Sequence, residues 1–145
     1  MPASRSSSTL LSRLPALAEL RFRLRTFASF SEAAAEAEGV SVQQYQLLQV
    51  VATMPENRGA SISYLAERMI LRHNSAVELV DRAVRAGLVT RTTDQDDLRR
   101  SLVQMTAEGT TLLERLVTVH LAELDAHGHL IVGAIQRLHE SGPDD

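Results

Sequence analysis

The chain has no cysteine, no tryptophan and no lysine, and aromatic residues make up only 3% of its 145 positions. Without thiols it can build no disulfide scaffold, no thiol nucleophile and no zinc-thiolate finger. Its longest unbroken apolar runs are a few residues, far short of the ~20 that a membrane-spanning helix needs. No charged-then-apolar leader with a small-residue cleavage site opens the sequence, so the cytoplasm is the expected compartment and no membrane partner is expected. Catalytic signatures are missing as well. There is no Gly-rich phosphate loop, no Gly-x-Ser-x-Gly elbow, no His-Glu-x-x-His and no carboxylate pair at a working spacing. The chain is therefore not expected to be an enzyme or to use a cofactor.

What is present suits one soluble domain with helical extensions: 44% apolar and 23% charged residues on a length typical of a single unit. The net charge is -3, yet all 15 basic residues are arginine. Between Ser61 and Ala107 seven arginines face six acids, whereas the rest of the chain carries eight against twelve. The middle is thus relatively basic between acidic flanks, and a local patch matters more to a polyanion than the average charge.

Periodicity orders the chain into five segments: a flexible N-terminus (1–12), a long helix (13–39), a central unit (40–107), C-terminal helices (108–141) and a tail (142–145). Leu17, Leu20, Leu24 and Phe27 recur at three- and four-residue steps, with Pro15 in the first turn and Gly39 as a stop. Ser41 reads as an N-cap for a helix carrying Tyr45, Leu48 and Val51. After a loop at 55–59, Ser61 and Ser63 precede a short helix with Leu65, Ala66 and Met69 on one side. Asn74-Ser75 opens a further helix with Val77, Val80 and Val84 on its buried face and Ala76, Leu79 and Ala83 beside them, ended by Gly87. Leu88–Thr92 and Ser101–Thr106 are short, β-branched runs around a charged stretch, which predicts a hairpin. Leu112 to Leu124 form a second long apolar stripe, Asp125 to Gly128 read as a break, and a last short helix follows. Helix, loop, helix and then a two-stranded ribbon is the layout of a winged helix-turn-helix. The fold class is mainly α with a small β-hairpin wing, flanked by N- and C-terminal dimerisation helices.

Several ordered motifs carry a resemblance: Ser63-Tyr64-Leu65-Ala66-Glu67-Arg68, Val77 to Arg82, Ala86-Gly87-Leu88-Val89-Thr90-Arg91, the run from Asp94 ending in Asp97-Leu98-Arg99-Arg100, and Met105-Thr106-Ala107-Glu108-Gly109. Together they resemble the MarR family of bacterial regulators over about residues 40 to 113, with the flanking helices similar in layout only. The resemblance implies a homodimeric DNA-binding regulator whose interface is built from the terminal helices, often released from DNA by a small phenolic or similar ligand. The start of the recognition helix is particular to this chain, so no operator sequence is implied.

Arg72, His73, Asn74 and Ser75 fall at or just before the first turn of the expected recognition helix, the end that would enter the major groove. Arginine can bridge guanine O6 and N7, and asparagine can pair with adenine N6 and N7. Asn74 or Ser75 would serve equally as a helix cap. On the wing, Arg99 ahead of Arg100 suits a narrow minor groove of strongly negative potential. The family pattern implies that Asp97 holds that arginine in place. A solvated turn of mutually neutralised charges is the plainer alternative. Arg68, Arg82, Arg85 and Arg91 are candidates for phosphate contacts or for ordinary ion pairs, with Glu78 and Arg82 spaced for one. His120, His127 and His129 read better as a partly buried stripe member and solvated neighbours than as a metal site.

Two long stripes at the ends of so short a chain are better covered by a second copy than by the chain itself, so a homodimer is expected. The function expected is a sequence-specific transcriptional regulator, a repressor, on a pseudo-palindromic double-stranded operator, released by a small aromatic ligand. Leu17, Phe27 and Tyr45 are candidates for the ligand's lining and equally for core. The alternative is a winged-helix module that binds protein and not DNA, for which the overall acidity argues.

Overall fold

The computed structural model describes residues 10–55 and 58–142. Most of the expected flexible N-terminus, positions 56–57 of the expected loop and the tail from 143 lie outside them. Residues 10–12 already carry helical geometry. In chain order the elements are α1 (Leu14–Ala37), α2 (Val42–Ala52), β1 (Ala60–Ser61), α3 (Ile62–Met69), α4 (His73–Arg85), β2 (Val89–Thr93), β3 (Ser101–Met105) and α5 (Ala107–Glu140). No helix among the described residues is long and apolar enough to cross a membrane. The chain divides into two units, one made of Ala34–Thr118 and the other of the residues before and after.

Within Ala34–Thr118 the helix starts follow local chemistry. The Ser41 hydroxyl accepts from the Gln44 N–H at 3.1 Å while the Gln44 side chain accepts from the Ser41 N–H at 2.9 Å, a reciprocal cap that opens α2 as expected. Ser61 caps α3 by accepting from the Tyr64 N–H at 3.2 Å. The end of α3 is less ordinary. Ile70 takes a left-handed conformation (φ 55°, ψ 48°) with its side chain 93% exposed, an arrangement that costs an L-residue about 1–2 kcal/mol and is rarest for β-branched ones. Helix α4 buries Ala76, Leu79, Val80 and Ala83. Ala76, Leu79, Val80 and Ala83 were all expected on or beside the buried face; of the other two valines expected there, Val77 is half-buried and Val84 is 38% exposed. Small alanines let α4 lie close to its neighbours, and the bulkier valines sit at the margin.

Gly87, at φ 76°, ends α4 in the region that only glycine enters freely. The Leu88 N–H then reaches back to the Ala83 carbonyl at 3.0 Å. The expected hairpin follows as β2 and β3, antiparallel from Val89 opposite Met105 to Thr93 opposite Ser101. A third strand, β1, adds to the other edge of β3, giving the order β1-β3-β2. Two residues are too few for any period, and sequence reasoning missed it. The core of this unit gathers Leu47, Leu48, Leu65, Leu79, Val80, Val89, Val103 and Leu116, each under 3% exposed. At the start of α5, Gly109 lies directly on the Leu88 carbonyl, where an added Cβ would come within 2.1 Å of the oxygen.

The other unit is made of helical segments up to Ala33 and from Val119. The break expected at Asp125–Gly128 does not occur: α5 runs 34 residues without interruption, about 51 Å at 1.5 Å per residue. A single helical glycine costs only about 1 kcal/mol, and Leu124, Ala126 and Leu130 close by favour helix. The Glu123–His127 pair at 3.0 Å, one turn apart, also supports that stretch. His120 is buried as the polar member of its stripe. Its Nε2 lies 2.8 Å from the Ser31 hydroxyl, and the edge-on rings of Phe27 and Phe30 flank it with centroids at 6.1 and 5.3 Å. By contrast Leu14, Leu17, Phe22, Leu24, Leu121, Leu124, Val132 and Ile135 are all 39–56% exposed.

Candidate nucleic-acid interface

The N-terminus of α4 is presented bare. Arg72 occupies the N-cap with extended backbone (φ -66°, ψ 152°) and makes no side-chain cap bond. The first N–H groups of the helix therefore remain available, and they carry the positive end of the helix dipole. Asn74 and Ser75 are consequently the second and third helical residues. The capping role considered for them is overturned, because the left-handed turn at Ile70 closes α3 within two residues and brings the chain into α4 before Asn74. Arg72, His73, Asn74 and Ser75 are all exposed.

Beside them stands the hairpin. A cleft of about 190 Å³ is lined by His73 and Val77 of α4, by Ser61, Ile62 and Ser63 at the start of α3, and by Arg91, Arg99, Arg100 and Ser101 of the wing. One surface depression thus joins the start of α4 to both wing arginines. The α3 residues on its wall were not foreseen as part of this surface. Ser61 had been read only as preceding a helix, and nothing in its type points sideways to a wing.

The wing's charges are paired within the loop. The Asp97 carboxylate accepts from the Arg99 N–H at 3.1 Å and from the Arg99 guanidinium Nε at 3.2 Å, the bond expected of it. Those two bonds, backbone first, and then the Arg100 charge hold the Asp97 carboxyl below its ordinary range. Asp94 accepts from the Asp96 N–H at 2.9 Å, and the Asp94 N–H closes the loop onto the Arg100 carbonyl at 2.9 Å. Two of the three acids therefore direct an oxygen at backbone donors, while the Arg99 side chain stands 91% exposed. Arg91, on β2, is engaged by Asp81 of α4 at 2.7 Å. Arg82 is exposed, and among the described residues no ion pair links it to Glu78. The arrangement is a guanidinium-lined depression beside a helix N-terminus without a side-chain cap, suited to an extended polyanion.

The three residues considered for ligand lining do not share a described cavity. Phe27 lines a cleft with Arg23, Thr26, Leu124 and Ile131. Leu17 is half exposed and lies off its wall, and Tyr45 is buried in the core around Leu47 and Leu48, where burial raises its hydroxyl pKa.

Residues 38–100 match the model of the MarR family. The chain is also 31% identical over 134 residues, 83% of its length and 79% of the other, to a protein of Thauera aromatica named as a transcriptional regulatory protein for the hcr operon. The chain belongs to the MarR family. Its fold is that of MarR regulators of known structure. CouR of Rhodococcus jostii RHA1, solved with p-coumaroyl-CoA, is 25% identical with a TM-score of 0.64 over 94% of this chain and 92% of that one. A mutant of MepR from S. aureus, solved with an oligodeoxyribonucleotide, is 18% identical with a TM-score of 0.63 over 78% of each chain. Like other MarR proteins, it is a transcriptional regulator of winged-helix fold and not an enzyme.

Proposed function

We propose that this MarR protein is a homodimeric repressor that reads a pseudo-palindromic operator. The start of α4 (Arg72, His73, Asn74, Ser75) enters the major groove, Arg99 and Arg100 enter the flanking minor groove, and Arg82 and Arg91 lie along the phosphates. The observation that carries this reading is the single cleft shared by His73, Arg91, Arg99 and Arg100, next to an exposed and uncapped helix N-terminus. Asp97 fixes the direction of Arg99, so less side-chain freedom is lost on binding. Dimerisation through the 13–39 and 108–141 helices is supported by the row of exposed leucine, valine, isoleucine and phenylalanine side chains on them, a face that a second copy would cover. The two recognition helices then address half-sites about 10–10.5 bp apart. Release by a small aromatic effector draws support from the aromatic acyl thioester held by the related CouR.

The test is selection of duplexes from a random library by the purified protein, followed by anisotropy titrations on the selected site. Log K is expected to fall with log salt by about 0.9 per phosphate contact, and Arg99→Ala to weaken binding by roughly 1–3 kcal/mol. A protein that enriches no sequence and shows no salt dependence is not the regulator described here.

A further inference from the structure

The bonding of the wing loop leaves one large apolar side chain turned out to solvent. Leu98, between Asp97 and Arg99, is 79% exposed. Its neighbours are held on both sides: the Arg99 N–H and guanidinium on Asp97, the Arg100 N–H on the Asp97 carbonyl at 2.9 Å, and the Asp94 N–H on the Arg100 carbonyl. The loop therefore presents an apolar side chain and a cation, Leu98 and Arg99, together and in a fixed relation. A wing tip that only needed solubility or charge would carry a polar residue here. Lone exposed leucines are common, so exposure alone says little. What matters is placement, in the hydrogen-bonded loop between the two strands and next to the guanidinium proposed to enter DNA.

We propose that Leu98 is the apolar contact of the wing and makes its reading of the minor groove sequence-selective, an inference that rests on the DNA-binding function proposed above. The walls of the minor groove are deoxyribose and largely apolar. On its floor, A·T pairs show only acceptors, while G·C pairs add the guanine 2-amino donor. A leucine packed between the sugars has no acceptor to offer that amino group, which loses water without a partner. Arg99 alone would register groove potential. Leu98 beside it penalises the 2-amino group directly, as other apolar wedges do where proteins enter the minor groove.

Base analogues separate this contact from a general one. Operator duplexes are made with inosine for guanine, which removes the 2-amino group, or with 2,6-diaminopurine for adenine, which adds it, only in the base pairs flanking the two recognition-helix half-sites. The wild-type protein is expected to bind the diaminopurine duplex more weakly and the inosine duplex at least as well as the unmodified one. Leu98→Ala should weaken binding to the unmodified site about five-fold, as loss of a half-buried aliphatic group implies, and should narrow the difference between analogues. Its salt slope should stay unchanged, because no counterion is involved. Arg99→Ala should lower the slope by about 0.9. Leu98→Met should keep the discrimination, and the unchanged Leu98→Ala response to thermal unfolding shows that the loop is intact. The inference is overturned if Leu98→Ala binds as tightly as the wild type, discriminates the analogues as fully, or changes the salt slope. A wild-type protein that selects no duplex overturns the function itself, and this contact with it.

Discussion

Replacing Gly109 with alanine tests how the wing is anchored. The joint between the end of α4 and the start of α5 is held by the Thr106 N–H on the Leu88 carbonyl at 3.1 Å and the Thr106 hydroxyl on the Gly87 carbonyl at 2.6 Å. The same hydroxyl accepts from the Gly109 N–H at 3.0 Å. An alanine Cβ at 109 would lie 2.1 Å from the Leu88 oxygen and 3.0 Å from its carbon, both backbone atoms that no rotamer change can move aside. The two segments must part by about an ångström, which breaks both Thr106 bonds, worth about 1 kcal/mol each, and leaves a carbonyl short of a partner at a further 1–3 kcal/mol. Alanine returns about 1 kcal/mol as the better helix former. The net loss is about 2–4 kcal/mol. In urea unfolding, with a slope of about 1–3 kcal/mol/M, that lowers the midpoint by roughly 1 M or more. Gly133→Ala is the control: nothing lies within 4 Å of its added Cβ, and it should raise stability by up to about 1 kcal/mol. Operator affinity should fall with Gly109→Ala because Leu88 leads straight into β2. An unchanged or higher midpoint for Gly109→Ala would mean that helix propensity outweighs the close approach, and the account of this joint would be wrong.

Three further outcomes follow from other sites. Ile70→Gly removes the left-handed strain of an exposed side chain and should stabilise the protein by about 0.5–1 kcal/mol after the added freedom of the unfolded chain is counted; a drop in Tm would contradict it. The depressed carboxyl of Asp97 contributes to the wing above the ordinary Asp pKa and is lost only as pH falls through its lower, folded value. The Arg99 amide proton shift should therefore hold from neutral down to about pH 4 and move below it, and a midpoint above that pH would refute the pairing. Ser31→Ala removes the 2.8 Å partner of the buried His120 ring and should lower stability by about 1 kcal/mol, read as a shift in the urea midpoint.

Much of the winged unit was legible because its signals are local. Ser41 with Gln44 three residues on, Gly87 after a helical run and two β-branched stretches around a charged turn each fix a short piece of backbone without outside help. The misreadings arose where tertiary packing or a weak penalty decided. Gly128 was taken for a break, although one glycine inside a long helix costs less than ending that helix would. Val84 was placed at the centre of the buried face of α4, while the structure leaves it 38% exposed and buries Ala76, Leu79 and Ala83, which were read as lying beside it. Asn74 and Ser75 favour capping by type, but the turn at Ile70 fixes where α4 begins, and no sequence rule predicts isoleucine in that conformation. Asp97 with Arg99 was legible through the family pattern. The α3 wall of the cleft was not, because its neighbours on β3 are forty residues away in the chain.

The ion pair between Asp81 and Arg91 joins α4, the helix proposed to read DNA, to the ribbon beside it. A disturbance that tilts α4 would be felt at β2 through this 2.7 Å contact, so the two parts proposed to face DNA would shift together. A signal molecule would then need to reach only one of them to silence both.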